Sequence, residues 1–520
     1  MYETDPAHRL DHIVVLMFEN RSFDNLFGYL YQPGEVPSFE GVVGRGLSNP
    51  VPADAPKASQ RSVPVHPAQD MDTPDPDPGE EYPHICTQLY GTVSPAGNRF
   101  AKVDQMVPPF NSPESEASLP TMSGFVADYV NSFRVEMGDW PTYDDYAQIM
   151  ACYTPEQLPV LSGLAKGFAC FDHWFCEVPS QTYTNRSFFH AASSSGFVIN
   201  GPAGKFATRN DAPTIFERLE RAHLSWRVYI DPDQIVPATA LIHARRLAPY
   251  FATNFRTIYD FYEEARQGEL PSYAFIEPNM LHPHTDMHPP GAGRLRKDLH
   301  LPKPNAMVGG EQLLARVYES VRTSPTSGSS NFANTLLLVT FDEHGGIFDH
   351  VPPPSAPPPD VNAPPGEEGF KFDRSGVRIP TIAISAWVDP RTVINDVFRS
   401  TSVIRTLREQ WSLGPPLTQR DATAPDLTPI FSRLRARPPE EWPRVIPGLP
   451  SLMERMIAYL DRPMERLERD FLGDALAHES AITGRPPAAD AEVVSHREAH
   501  EHLSRIGTAM FPGVASGRRS

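Results

Sequence analysis

Glu19 and Asn20 are chain neighbours, and so are Asp342 and Glu343. Three carboxylates and an amide oxygen are hard ligands, suited to Ca²⁺, Mg²⁺ or Mn²⁺, and carboxylates also take Zn²⁺. Each pair alone reads as well as a solvated turn, so the case rests on whether the fold brings the pairs together. A second set is His84, His282, His284, His288, His344 and His350. Imidazole titrates near neutrality and can protonate a leaving group, although a lone His is more often a satisfied core or surface residue. Gly345 and Gly346 follow His344 and permit a close backbone approach or a positive φ. The third set runs through Ser180, Gln181, Thr182, Tyr183, Thr184, Asn185, Arg186 and Ser187. It offers several hydroxyl nucleophiles, an amide at Asn185, and in Arg186 a guanidinium able to clamp a phosphate. A Ser/Thr-rich loop with helix caps is the plainer reading of the same stretch.

A sheet is the element that could position such groups. Residues 11–18 form a short β-branched apolar run, too short to span a bilayer and read as a buried strand. Further strands are expected at 197–200, 226–230, 273–276, 335–341 and 378–385, with helices at 122–133, 213–222, 254–266 and 311–321. This alternation predicts an α/β fold with a mostly parallel central sheet flanked by helices. Several strands end in acids: Glu19, Asp231, Glu277, and Asp342 with Glu343. Ligands of open α/β sheets bind outside the carboxyl ends of the strands, so these acids are expected along one edge. Residues 32–83, 282–305 and 351–366 are Pro-rich and read as long irregular loops, walls or lids of a site. A catalytic domain is expected over 1–430, with 32–83 and 282–305 as irregular insertions. Residues 431–520 are expected to form a helical extension with a polar, partly flexible tail.

The 520 residues carry 46 basic and 64 acidic side chains, a formal net charge of −18. Such a chain has no bulk attraction for nucleic acid or anionic lipid, so a phosphate substrate needs locally placed cations. No nucleic-acid partner is expected, and at most peripheral membrane contact; composition is silent on oligomeric state. The N-terminus lacks a basic segment followed by an apolar run. That predicts a cytoplasmic chain, with a non-classical export route or a removed signal as the alternatives. Cys86, Cys152, Cys170 and Cys176 form no CxxC pair and are expected as buried free thiols, a single disulfide being the alternative.

Residues 12–30 (HIVVLMFENRSFDNLFGYL) resemble the opening motif of a bacterial phosphoesterase family that contains phospholipases C and an acid phosphatase. The resemblance continues through 178–186 (VPSQTYTNR), 286–290 (DMHPP), 340–354 (TFDEHGGIFDHVPPP) and 377–385 (VRIPTIAIS), in order over about four fifths of the chain. It implies an alkaline-phosphatase- and sulfatase-like fold, capped by the Pro-rich loops. It also implies a metal-dependent phosphoric ester hydrolase of phospholipase C type, acting on a phosphate ester or phospholipid through a phosphoenzyme. An acid phosphatase (phosphomonoesterase) or a soluble phosphodiesterase is the alternative. Thr182 aligns with the family nucleophile. Glu19, Asn20, Asp342, Glu343 and Thr182 would hold one divalent ion, Ca²⁺ before Zn²⁺ or Mn²⁺. His84, His288, His344 and His350 would surround the phosphate, with Asp286 orienting them and Asn185 and Arg186 binding substrate. Two departures stand out. Thr184 replaces a frequent Pro, and 398–402 (FRSTS) replaces a segment that often carries a His.

Overall fold

The computed structural model describes residues 9–56, 61–113, 119–234, 236–281, 284–291, 306–447, 466–484, 486, 496–512 and 514. His282 and most of the expected 282–305 loop therefore lie outside the described residues.

Eight strands form the central sheet. In chain order they are β1 (His12–Phe18), β2 (Ala169–Phe171), β3 (Trp226–Ile230), β4 (Phe255–Thr257), β5 (Tyr273–Glu277), β6 (Thr335–Phe341), β7 (Thr381–Ile384) and β8 (Thr392–Ile394). Their spatial order is β8-β2-β7-β6-β1-β5-β3-β4. β1 lies between β6 and β5 and is parallel to both, with Phe18 opposite Phe341 and Leu16 opposite Ile276. β7 runs antiparallel to β6 and β2, so the sheet is mixed. Every residue of β1, β5 and β6 is buried, as continuous apolar runs require when both faces of a sheet are covered.

The helices used below are α1 (Phe23–Phe27), α2 (Tyr82–Tyr90), α3 (Phe125–Met137), α4 (Pro159–Gly167), α5 (Thr182–Ala191), α6 (Ala238–Ile242), α7 (Ile258–Gln267), α8 (Ala306–Arg322), α9 (Thr401–Trp411), α10 (Arg466–Thr483) and α11 (His496–Met510). Their ends follow local chemistry. Thr257 caps α7 reciprocally with Asp260, and Gly268 ends that helix at φ +73°. In α8, Met307, Leu314, Val317, Tyr318 and Val321 recur every three or four residues and form the buried stripe. Phe471, Leu472 and Ala475 of α10 join the same apolar core as the sheet. All four cysteines are buried and unpaired. Among the described residues no helix is long and apolar enough to cross a membrane.

Residues 197–200, expected as a strand, form a loop instead. Side chains satisfy its backbone: Val198 N donates to Glu367 (2.9 Å) and Asn200 N to Gln181 (3.0 Å). The short strands β2, β4 and β8 were not expected; three residues carry too little pattern to announce a strand.

Candidate active site

The register of β1 with β6 sends Glu19 and Asp342 out of the sheet side by side. The two turns are tied together: Asp342 N donates to Phe18 O (3.0 Å), Arg21 N to Glu343 O (3.1 Å), and Asn20 N to Asp342 Oδ1 (3.1 Å). Asn20 sits at φ +55°, a conformation Asn tolerates better than most residues. Gly345 (φ +64°) packs so closely on this turn that a Cβ would fall on the Asn20 backbone. Thr182 opens α5 and is buried; its Oγ1 donates to Glu19 Oε2 at 3.2 Å. One turn on, Arg186 pairs with Glu19, and its Nε lies 3.7 Å from Asp342 Oδ2. The structure thus gathers Glu19, Asn20, Asp342, Glu343 and Thr182 at the carboxyl end of the two central strands.

This cluster carries too much negative charge for its own cations. Burial pushes the Glu19 carboxyl well above the ordinary range; Arg186 opposes that and Asp342 adds to it. Burial likewise raises Glu343, reinforced by Glu80 and Asp342. Asn20 Oδ1, Asp342 Oδ2 and Glu343 Oε1 are buried and meet no hydrogen-bond donor among the described residues. Buried oxygens are rarely left so, and a bound divalent ion is what such a set accommodates. The donor set fits a hard cation without choosing among ions. Two acid and histidine groups have metal-ligand spacing in their own right: Asp77, Glu80 and His288, and Asp24, Asp349 and His350. The second already holds a cation, because Arg378 bonds both Asp24 and Asp349 at 2.9 Å.

The four expected histidines occupy three different places. His288 Nε2 lies 2.9 Å from Asn20 Nδ2, at the edge of the ligand cluster. Burial works against its charge, but Asp77, Glu80 and Asp286 push the ring up to about 9. Ring and amide are coupled: a neutral ring accepts from Nδ2, whereas a protonated one must meet the amide oxygen. His84 instead bonds Asp128 (2.9 Å), which also accepts from Gln88 (2.8 Å), and Gln88 Oε1 meets His344 Nε2 (3.1 Å). His344 is fully buried, pushed down to about 3 by that burial, with Nδ1 3.3 Å from Glu343. His84 and His344 therefore stand in a polar chain that reaches the cluster through Glu343. His350 belongs to the Asp24 and Arg378 network, 2.6 Å from Asp24. Asp286 does orient its neighbours: Oδ1 accepts from His288 N (3.1 Å), Oδ2 meets His284 Nδ1 (3.0 Å), and its carbonyl accepts from Glu19 N (2.9 Å).

Other expectations need correction. The Asn185 amide is consumed by its own loop, donating to the carbonyls of Val178, Ser180 and Gln181 and accepting from Val178 N, so it builds the turn before Thr182 instead of reaching for substrate. Arg186 pairs with Glu19 through Nη2, while its Nε and Nη1 are buried with no hydrogen-bond partner among the described residues. Of the acids expected along one edge, Glu277 caps α6, accepting from Ala238 N (2.8 Å) and Thr239 N (2.7 Å). Asp231 closes a local turn with Asp233 and Gln234. Arg399, in the segment that departs from the family pattern, anchors Arg420 O (2.9 Å) and Thr423 (2.7 Å). The residue that sequence reasoning missed is Glu80. It is buried, accepts from Asn20 Nδ2, and meets Gln181 Nε2 at 3.3 Å, directly before the nucleophile candidate. Its only signal was its place four residues before His84.

The chain resembles known proteins over most of its length. A sequence model described as the phosphoesterase family matches residues 10–414. Non-specific phospholipase C3 of Arabidopsis thaliana is 31% identical over 459 residues, covering 85% of this chain and 77% of that one. Non-specific phospholipase C1 of the same plant is 31% identical over 451 residues (84% and 73%). Phospholipase C B of Mycobacterium tuberculosis is 25% identical over 475 residues (82% and 79%). Among solved structures, an alkaline phosphatase superfamily protein from Vibrio parahaemolyticus aligns with TM-score 0.31 and 14% identity over 52% of this chain and 65% of that one. The phosphonate monoester hydrolase of Agrobacterium radiobacter aligns with TM-score 0.28 and 11% identity over 53% and 72%. With a profile spanning the sheet, the strand-end acids and the Thr182 helix, the chain is a phospholipase-C-like hydrolase and belongs to the phosphoesterase family.

Proposed function

We propose that the protein hydrolyses phosphate esters, phospholipids among them, with Thr182 as nucleophile. The observation that carries this reading is the Thr182 hydroxyl donating to Glu19 beside three buried oxygens that meet no donor among the described residues. Thr182 is also the first residue of a ten-residue helix, where the partial positive charge of the helix end favours an alkoxide. A divalent ion held by Glu19, Asn20, Asp342 and Glu343 would lower the hydroxyl pKa and offset charge on the phosphoryl oxygens. Thr182 Oγ1 attacks phosphorus in line with the leaving alkoxide, and Glu19 accepts the hydroxyl proton. His288 hands a proton to that alkoxide; its nearness to Asn20 supports the role, and Asp286 accepts from its backbone N. Water then cleaves the phosphothreonine. Two in-line displacements retain configuration at phosphorus.

The test is a panel of p-nitrophenyl phosphate, bis(p-nitrophenyl) phosphate and phosphatidylcholine, each assayed with and without chelator. Turnover of a diester or the lipid, abolished by chelator and restored by a divalent ion, is expected. Turnover that is indifferent to chelator, or absent from all three substrates with Ca²⁺, Mn²⁺ and Zn²⁺ supplied, sinks the reading.

A further inference from the structure

Helix α10 lies beyond the segment that matches the family, yet it reaches the candidate site. Glu468, in its first turn, is fully buried, with Oε1 3.7 Å from His284 Nε2. The other ring nitrogen of His284 lies 3.0 Å from Asp286. The imidazole therefore lies between two buried carboxylates, Asp286 of its own loop at hydrogen-bond distance and Glu468 of α10 at ion-pair distance. Asp286 in turn accepts from His288 N and, through its carbonyl, from Glu19 N. A shift of Asp286 moves both the candidate acid and a candidate ligand of the ion. Two further contacts seat α10 beside the nucleophile helix: Phe471 meets Tyr183 edge to face, centroids 6.1 Å apart, and Asp474 accepts from Gly204 N.

We propose that Glu468 is a positioning residue, holding the His284 ring against Asp286 and so fixing the loop that sets His288 and braces Glu19. The inference rests on the reading of this site as a phosphoester hydrolase centre. Its physical basis is contact: the ring bridges buried acids of two segments, and removing the Glu468 carboxylate takes away the contact by which α10 meets the loop. Groups bonded directly to an ion's ligand commonly change affinity or turnover by about ten- to a hundredfold, and Glu468, which reaches Glu19 through His284 and Asp286, is expected at the lower end of that range.

The experiment compares Glu468→Gln, Glu468→Asp and Asp474→Asn in the full chain. It measures kcat and KM on bis(p-nitrophenyl) phosphate, Ca²⁺ and Mn²⁺ affinity of the metal-stripped protein, and Tm. Glu468→Gln, nearly isosteric, is expected to lower kcat and ion affinity by about tenfold each while KM changes less. Glu468→Asp should recover part of both losses. Asp474→Asn, which weakens a seat of the same helix away from the loop, should lower Tm and leave kcat within about twofold. Ion affinity and kcat of Glu468→Gln within twofold of the unaltered protein would overturn the proposal. So would equal kcat losses in Glu468→Gln and Asp474→Asn at equal Tm, since helix docking alone would then explain both. If the unaltered protein cleaves no ester, the hydrolase reading fails by itself, and ion affinity still decides the role of Glu468.

Discussion

Four hydroxyls stand within eight residues at 180–187, and their surroundings separate them. Ser180 Oγ bonds the Val198 carbonyl, Thr184 that of Phe197 and Ser187 that of Ser193; Thr182 alone of the four faces an acid of the ligand cluster. Loss of an activated nucleophile removes stabilisation present only in the transition state, so Thr182→Ala should lower kcat by roughly three or more orders of magnitude. Thr182→Ser should keep measurable activity, and Thr184→Ala should be mild. A rapid acid quench with a labelled ester should trap phosphate on Thr182; net inversion at phosphorus would instead point to direct attack by water. Asp342 carries a second prediction at this scale. The unaltered protein should hold about one equivalent of divalent ion or less by elemental analysis, and Asp342→Ala should hold none. Two equivalents, both lost in that variant, would contradict a single-ion centre. The strand-end acids could be picked out as candidates by type, but among four hydroxyls type could not choose, and only the family resemblance singled out Thr182. Glu80, Gln88 and Asp128 could not be picked out, because an acid or amide declares its role only through what folds against it. The Asn185 side chain misled for the same reason: an amide beside an arginine suggests a phosphate site, but a turn claimed it.

The long strands could be read from the chain, since seven buried residues in a row at 12–18 and 335–341 leave little else to form. The destination of their terminal acids could not. β1 and β6 deliver theirs to the site, whereas β5 ends in Glu277, which receives two backbone N–H groups of α6. Both patterns are a strand followed by a carboxylate. The difference lies in whether a helix start is folded against that carboxylate. Glu277→Ala leaves those two buried donors without their acceptor and should lower stability by about 1–3 kcal/mol per lost partner. Asp231→Ala, in a half-buried turn where the side chain accepts one backbone N–H, should cost less, about 0.5–1.5 kcal/mol. Urea unfolding of both variants checks this, and equal midpoints would refute the capping account.

The whole molecule encloses a pair of histidines that chemistry at the site does not use. His190 and His243 are buried with ring centroids 5.8 Å apart, and neither ring nitrogen of His243 has a hydrogen-bond partner among the described residues. Burial pushes His243 down to about 3 from an ordinary 6.5 and lowers His190 as well, with His243 and Arg186 adding to that shift. The folded chain therefore refuses a proton that the unfolded chain accepts between those two values. The contribution of His243 is fully present above about pH 6.5 and is lost as pH drops toward 3, by at most about 1.4 kcal/mol per pH unit. His243→Phe should lose less stability between pH 7 and pH 5 than the unaltered protein does; identical losses would remove His243 from the account.

The position of β1 has a consequence for synthesis as well. It is made well before both of its partners, at residues 273–277 and 335–341. Until the ribosome has passed residue 341, this apolar ribbon has at least one unpaired edge. Long-range parallel pairing is slow and exposes chains to aggregation. A nascent chain stalled near residue 260 should therefore bind a chaperone through residues 12–18, and one stalled well beyond 341 should release it.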